Sequence, residues 1–175
     1  MKLKQLTLLV FTLISFTSGL SSKLQKKVNK VIKATYEIED FSFNAITISS
    51  KVTEELPSKF GNDNLFEIKS GDQNYGYAYI AKAPSKTAEY DYLVLINSEL
   101  SVVKIKVLIY REEYGGEIGS KRWLKQFIGK TQNDEFRYGD NIDAIAGATI
   151  SVRSMTNAMN DLMQSLKILN AKGIL

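Results

Sequence analysis

A run of small residues stands immediately before the last helix that the sequence predicts, and a hydroxyl follows it. Alanine and glycine fill positions 146–148, and threonine follows at 149. Small side chains let a ligand approach the backbone closely, and a helix start supplies unpaired N–H groups and the positive end of a dipole. A phosphate would be stabilised there, and the hydroxyl of Thr149 could become esterified to it. From the residues alone, the simpler interpretation is that Thr149 or Ser151 caps the helix, which does not exclude a ligand.

The residue types that are missing narrow the possible chemistry. The sequence contains no cysteine and no histidine. This composition excludes disulfide bonds, thiol nucleophiles, imidazole bases, a histidine-ligated haem and zinc sites built from either residue. No metal site and no catalytic residue is predicted, and any redox chemistry is expected to come from a bound cofactor. We interpret the acidic residues near the small-residue run as solvated carboxylates; they are Glu112, Glu113, Glu117, Asp140 and Asp143.

The N-terminal segment has the features of a secretory signal peptide. Lysines at 2 and 4 precede a mostly apolar run of eleven residues at 6–16, and small residues follow it. Eleven residues are too few to span a bilayer, which needs roughly 20. We therefore predict a signal peptide at residues 1–21, cut near Gly19 or Ser21, with an uncleaved anchor as the alternative. The expected location is exported in a bacterium: periplasmic, or membrane-associated on the outer face of the inner membrane.

The net charge gives no support for binding to nucleic acid. The chain carries +4 at pH 7, and removal of residues 1–19 takes away two lysines and leaves +4 − 2 = +2. Nucleic-acid-binding domains carry far more positive charge, usually gathered on one face. We predict no nucleic-acid partner.

The elements that must position the small-residue run form an α+β fold. Apolar residues at helical spacing predict an amphipathic surface helix at 22–33, and weak alternation predicts a strand within 41–52. Four further runs are rich in β-branched and aromatic residues, and their short connections predict an antiparallel meander. These runs are 65–69, 75–82, 90–97 and 102–110. In the last of them, Val103, Ile105, Val107 and Ile109 are expected to share one face.

Two helices follow the predicted sheet. Residues 120–127 have helical character, with Trp123 and Phe127 on one side. The last helix carries an apolar stripe that steps by three and four residues, and we interpret the stripe as core. The stripe consists of Val152, Met155, Met159, Leu162, Leu166 and Leu169. With 175 residues and no linker or repeat, the chain is expected to fold as an antiparallel sheet packed with helices.

The residues before the last helix resemble a known modification motif. Asp143, two further residues, then Ala146, Gly147, Ala148 and Thr149 resemble the flavinylation motif of the FMN-binding domain family. Covalent-flavin subunits of the sodium-pumping NADH:quinone reductase and of the Rnf complex belong to that family. Its pattern has Ser or Thr where this chain has Ala146. The resemblance implies that a flavin transferase, using FAD and a divalent metal, attaches FMN through its phosphate to the hydroxyl of Thr149.

The resemblance extends over roughly residues 75–165. The segment 110–118 is similar to exported stand-alone members of the family, in which a strand leads into a glycine-containing loop near the flavin. It lacks the Glu-Thr-Pro-Gly signature of the redox-pump subunits, so membership of a sodium-pumping complex is not predicted. Tyr77, Tyr114 and Trp123 are candidates for stacking on the flavin ring, although the spacing of Trp123 favours core packing.

These observations predict an exported flavoprotein that relays electrons between redox partners. FMN-binding is predicted for Asp143, Ala146, Gly147, Ala148, Thr149 and Ser151, and for Glu113, Tyr114, Gly115 and Gly116 in the loop. The predicted partners are a flavin transferase for maturation and a membrane or exported redox protein. The FMN-binding-domain-like unit is placed at 75–175, and 22–74 has no assigned role. Two alternatives stay open: an exported non-redox binding module, or a flavin-dependent reductase acting on a small molecule, so whether the protein is itself an enzyme is undecided.

Overall fold

A five-stranded antiparallel sheet forms the centre of the protein. The structure is a computed structural model that describes residues 20–61 and 63–175, so most of the predicted signal peptide lies outside the described residues. The strands lie side by side in chain order. They are β1 (Ser42–Ala45), β2 (Leu65–Ser70), β3 (Gln73–Pro84), β4 (Glu89–Ile96) and β5 (Val102–Ile109). The predicted meander and the α+β fold are confirmed.

Four α-helices accompany the sheet in the described part of the chain. They are α1 (Ser22–Tyr36), α2 (Ser50–Thr53), α3 (Lys121–Leu124) and α4 (Thr149–Ala171), with 3-10 segments at Gly116–Gly119 and Lys125–Phe127. The helices predicted near both ends of the chain are therefore present, and α1 runs three residues beyond the predicted 22–33. None of the helices within residues 20–61 and 63–175 combines the length and the apolar character that crossing a bilayer requires.

Helices cover both faces of the sheet, and each face has its own core. All six residues of the predicted apolar stripe of α4 are fully buried on one face, and Leu24, Val28 and Ile32 of α1 pack on the other. Strand β4 serves both cores, since Val94 faces α4 while Leu93 belongs to the α1 core. A strand covered on both sides reads as a continuous apolar run instead of alternating with polar residues.

The predicted shared face of β5 is wrong at both ends of the strand. Two β-bulges interrupt the pairing of β5 with β4. Val103 and Leu108 are the extra residues of these bulges, since neither has a partner on β4. Each extra residue reverses the direction of the side chains beyond it. Ile105 and Val107 therefore contact the α4 core, whereas Ile109 packs with the α1 core.

The strand predicted within 41–52 is shorter than expected. Strand β1 ends at Ala45, and residues Ser50–Thr53 form the short helix α2 instead. After β1 the chain leaves the sheet edge, and Ile48 is buried in the α4 core at 7% exposure. Burial of this apolar side chain accounts for the departure from strand geometry, because weak alternation cannot hold a strand at an edge against it.

Candidate functional site

A depression of about 660 Å³ lies where the segment after β5 meets the first turn of α4. It brings together six of the predicted flavin-contact positions from two distant parts of the sequence. Those six are Glu113, Tyr114, Gly147, Ala148, Thr149 and Ser151. Lys86, Thr87, Tyr110, Arg111, Glu112 and Ile150 complete the lining. We call this depression the Thr149 pocket.

The start of α4 leaves its polar groups free. Ala148 is the N-cap and supplies no side-chain hydrogen bond, so the interpretation that Thr149 or Ser151 caps the helix is wrong. Within the described residues, the N–H groups of Thr149, Ile150 and Ser151 have no hydrogen-bond acceptor. The exposed hydroxyl of Thr149 also has no partner in that part of the chain. Free N–H groups beside a free hydroxyl suit a phosphate ester.

The other hydroxyl near the helix start is occupied. Ser151 is 3% exposed, and its Oγ lies 3.2 Å from the Tyr110 hydroxyl. The Tyr110 hydroxyl donates to the main-chain oxygen of Tyr114 at 3.0 Å, so the Ser151 hydroxyl is left to donate to Tyr110. Ser151 thus fixes the loop to α4, and Thr149 presents the accessible hydroxyl of the pair.

Gly115 allows this loop to lie directly on the helix start. It is buried and adopts φ 81°, and a Cβ at this position would lie 2.8 Å from the Tyr110 hydroxyl and 3.2 Å from Cβ of Ala148. Only glycine fits both the space and the left-handed backbone. Gly116, its predicted neighbour in flavin contact, is exposed and does not line the Thr149 pocket.

Glu112 holds a second turn against the pocket. Its carboxylate accepts hydrogen bonds from the Ser85 hydroxyl at 2.6 Å and from the N–H groups of Thr87 and Ala88 at 2.7 and 3.2 Å. These bonds, that of Ser85 foremost, hold the pKa of Glu112 below its usual value. The interpretation of Glu112 as a merely solvated carboxylate is therefore wrong. The turn that it holds brings Lys86 to the pocket.

Arg111 supplies a fixed positive charge in the pocket wall. Its guanidinium pairs with the carboxylate of Asp91 and donates to the main-chain oxygen of Glu89 at 2.7 Å. Asp91 is 4% exposed, so the pair neutralises a buried charge. Lys86, in contrast, makes no ion pair within the described residues.

Two exposed apolar side chains lie in the lining of the Thr149 pocket. Tyr114 is 80% exposed and Ile150 is 49% exposed. Large apolar side chains left in water beside a concave surface are typical of a binding site. Tyr77 does not line the pocket, because it is buried in the α4 core. Trp123 is 4% exposed and packs edge-on against Phe127, which confirms the predicted core packing.

Asp143 and Ala146 lie in a separate depression of about 720 Å³ beside α3. The main chain of Asp143 is held at both ends, since its N–H donates to Gln126 Oε1 and its oxygen accepts from Trp123 Nε1, each at 2.8 Å. The carboxylate of Asp143 has no partner among the described residues. Lys121 and Arg122 do not line the Thr149 pocket.

Several lining residues escaped the sequence analysis. Lys86 and Thr87 lie in the turn between β3 and β4, and no local sequence pattern predicts that this turn lines the pocket. Ile150 carried a usable signal, because it is an apolar residue outside the buried stripe of α4. In residues 20–61 and 63–175, no group of three or more acidic side chains is placed to hold a metal ion.

A family model matches part of the chain. Residues 88–164 match the family model of the FMN-binding domain. The matched range includes the loop that follows β5, the segment from Asp143 to Thr149 and much of α4. No curated protein matches the chain.

Proposed function

We propose that the protein is an exported electron carrier with FMN bound covalently to Thr149, on the basis of the match of residues 88–164 to the FMN-binding domain. One observation carries the proposal. The unbonded, exposed hydroxyl of Thr149 stands in a pocket beside three free main-chain N–H groups at the start of a 23-residue helix. A phosphoester at this oxygen would receive hydrogen bonds and a favourable dipole without any rearrangement of the helix.

The attachment reaction transfers a phosphoryl-linked group and no electrons. A flavin transferase would join Oγ1 of Thr149 to the phosphorus atom of the FMN half of FAD. The phosphoanhydride bond of FAD breaks, AMP leaves, and the hydroxyl proton passes to a base on the transferase or to water. A divalent cation bound by the transferase with FAD would neutralise charge on the phosphates.

The lining of the Thr149 pocket fits the group. Gly147 adopts φ 78°, and no atom lies within 4 Å of where its Cβ would be, so this position leaves room beside the ester. Tyr114 and Ile150 offer apolar surface to a flat ring, and Lys86 offers a positive charge that has no ionic partner among the described residues. FMN, once bound, supplies one- and two-electron transfer that the side chains of this protein cannot perform.

The alanine in the motif does not argue against loading of Thr149. Ala146 lines the depression beside α3 and not the Thr149 pocket. A hydroxyl at residue 146 would therefore lie outside the lining of the pocket. We infer that the free N–H groups of α4, which are present here, contribute more to holding the phosphate.

Export fits a covalently held cofactor. The apolar run at 6–16 supports export, and a cofactor that dissociated outside the cytoplasm could not readily be recovered. The electron donor and acceptor would be a membrane or exported redox protein, either periplasmic or on the outer face of the inner membrane.

Intact mass after coexpression with a flavin transferase tests the proposal. The protein should gain the mass of FMN less one water, become yellow, and lose both properties in Thr149→Ala. Thr149→Ser keeps the hydroxyl and should still be loaded. Ser151→Ala keeps Thr149 and should still gain the mass of FMN, although loss of the contact with Tyr110 should slow its loading. A colourless, unmodified protein would overturn the proposal and favour the non-redox binding module. Turnover of a small acceptor without a partner protein would favour the reductase.

A further inference from the structure

Helix α1 carries one basic face. Its 15 residues include five lysines and no acidic residue. At about 3.6 residues per turn, the five positions fall within about one third of the helix circumference. They lie on the side away from the buried Leu24, Val28 and Ile32. The five are Lys23, Lys26, Lys27, Lys30 and Lys33.

Most of these charges have no counter-charge. Lys33 pairs with Glu39 at 2.9 Å, but Lys27 donates to the main-chain oxygen of Leu108, which is a neutral acceptor. The other three lysines are exposed, and none of them has a hydrogen-bonded or ionic side-chain partner in residues 20–61 and 63–175. These three are Lys23, Lys26 and Lys30.

Two lysines of β5 extend the basic surface to the sheet edge. Lys104 pairs with Leu95 in the antiparallel register, and Lys106 pairs with Leu93. Directly paired residues point to the same side of a sheet, and both leucines belong to the α1 core. Lys104 and Lys106 therefore lie on the α1 side, next to the helix whose Lys27 binds this strand. We call the five lysines of α1 together with these two the lysine face.

The two ends of the charge balance lie in different parts of the molecule. Helix α1 contributes +5, whereas residues 37–175 carry 16 basic and 19 acidic side chains, a net charge of −3. A molecule with this distribution turns its α1 side toward an anionic surface. Helix α4, which begins at Thr149, packs on the opposite face of the sheet. A surface that contacts α1 therefore leaves the start of α4 accessible.

The composition of the lysine face fits a lipid surface better than a protein. Protein interfaces are enriched in arginine and aromatic side chains and depleted in lysine. The lysine face contains no arginine, and the apolar residues of α1 are turned into the core. A lysine ammonium is a compact point charge that needs no fixed partner geometry, which suits mobile headgroups.

The position of the lysine face in the sequence supports the same partner. The predicted signal segment has its apolar run at 6–16, and only five residues separate this run from α1. The lysines thus follow the part of the chain that export would bring to a membrane. Clusters of four to eight basic residues beside such a segment are typical of binding to anionic lipids.

We propose that the lysine face binds the headgroups of an anionic phospholipid bilayer and holds the domain at the membrane surface. Helix α1 lies on the headgroups without inserting, because its apolar residues are already buried against the sheet. The attraction is electrostatic and therefore weakens with salt. It needs no flavin, so it is independent of the loading of Thr149.

Vesicle binding of the full, unloaded chain tests the proposal. The protein is sedimented with vesicles of phosphatidylcholine and phosphatidylglycerol, and with vesicles of phosphatidylcholine alone. The unchanged protein should prefer the anionic vesicles, and the preference should vanish at high salt. The combined variant Lys23→Gln, Lys26→Gln and Lys30→Gln should bind them about 100-fold more weakly, at about fivefold per lysine. Arginine at the same three positions should keep the preference, because the charge is kept.

A second triple variant is the matched control. Lys51→Gln, Lys121→Gln and Lys167→Gln remove three exposed lysines outside the lysine face, none of which has an ionic partner among the described residues. This control lowers the net charge equally and should leave the preference unchanged. Binding through the apolar run 6–16 is common to all variants and to both kinds of vesicle.

A fluorescent label reports which side of the molecule contacts the lipid. The sequence contains no cysteine, so Lys30→Cys and Lys167→Cys each create a single labelling site. On anionic vesicles, the label at position 30 should be shielded from an aqueous quencher, whereas the label at 167 on α4 should stay accessible.

Three results would overturn the proposal. The first is equal binding of anionic vesicles by the α1 triple variant and the control triple variant. The second is shielding of the label at 167 in place of the label at 30. The third is binding of soluble polyglutamate without any preference for anionic vesicles, which would assign the lysine face to an acidic protein instead.

Discussion

Gly115 lies against Ala148, the residue that begins the main helix, so closely that a methyl group on Gly115 would lie 3.2 Å from the methyl of Ala148. This contact joins the loop after β5 to the start of α4. It places Tyr114 and Thr149 in one pocket although they are 35 positions apart in the sequence.

Substitution of Gly115 by alanine should therefore damage both the fold and the site. The new Cβ would meet the Tyr110 hydroxyl at 2.8 Å, and φ 81° disfavours any L-residue with a side chain. We expect the free energy of unfolding to fall by about 2 kcal/mol in Gly115→Ala, measured by urea denaturation. Gly116→Ala is the control, because nothing lies within 4 Å of its Cβ position and it should change stability by less than about 0.5 kcal/mol. Equal stability of the two variants would contradict the close contact.

Removal of the Arg111 charge should expose the cost of burying Asp91. The Asp91 side chain is 6% exposed and pairs with Arg111, whose side chain is 40% exposed. Arg111→Gln leaves that carboxylate without its cation, so we expect the free energy of unfolding to fall by about 2 kcal/mol. This loss is smaller than the loss expected for a fully buried ion pair, because solvent reaches the arginine. Arg137→Gln breaks only exposed pairs with Glu135 and Asp140 and should cost much less. Thermal unfolding of both variants at low and high salt gives the comparison.

The stabilising contribution of Glu112 should depend on pH. Hydrogen bonds from Ser85 and the Thr87 N–H lower its pKa in the folded protein below the ordinary 4.5, so the unfolded chain binds the proton more readily. The contribution is therefore fully present above pH 4.5 and is lost as the pH falls through the lowered folded value. Melting temperatures of the unchanged protein and Glu112→Gln should differ at neutral pH and converge in acid.

The neighbouring Glu113→Gln serves as the control for that titration. Its side chain is exposed and has no hydrogen bond within the described residues, so it should follow the unchanged protein at every pH. A gap between the unchanged protein and Glu112→Gln that persists below both pKa values would show that the carboxylate bonds are not its source.

Tyr114 should affect the flavin and leave the fold unchanged. With 80% of its surface exposed, it contributes little to the core, and Tyr114→Ala should melt with the unchanged protein. In the loaded protein, an aromatic ring against the flavin quenches its fluorescence, so Tyr114→Ala should brighten the emission. Ile128→Ala removes another exposed apolar side chain, 41% exposed and outside the pocket, and should leave the emission as it was. Identical emission from Tyr114→Ala and the unchanged protein would remove Tyr114 from the ring contact.

Patterns that repeat along the chain were sufficient to predict most of the fold. The stripe of α4 and the four strand-forming runs depend on periodic burial, which the sequence displays directly. The bulges at Val103 and Leu108 depend on how β5 meets β4, and no periodicity of β5 alone encodes them. The shortened β1 could not be predicted for the same reason, because the chain leaves the sheet edge where Ile48 is buried in the α4 core, and that contact is not visible in the local sequence.

The site was predictable where its residues adjoin in sequence. The run from Gly147 to Thr149 and the loop at Tyr114 were recognised from motif and glycine content. Lys86 lies in a turn whose residues Glu112 binds, and these residues precede Glu112 by 24 to 27 positions. Lys86 therefore lines the pocket through a tertiary contact, which no local sequence pattern displays. The absence of a side-chain cap at Ala148 was also beyond the sequence, since hydroxyl residues stand directly beside it.

The bulges of β5 bear on self-association as well as on side-chain direction. This strand is an outer edge of the sheet, where a straight backbone would invite a second molecule to add its own strand. Two extra residues make the edge irregular, Lys27 takes the main-chain oxygen of Leu108 at 2.6 Å, and the segment at Gly129 and Lys130 bonds to Val102. An edge occupied in this way resists growth into strand-paired polymers, because few of its main-chain groups are left in line to accept a strand of a second molecule.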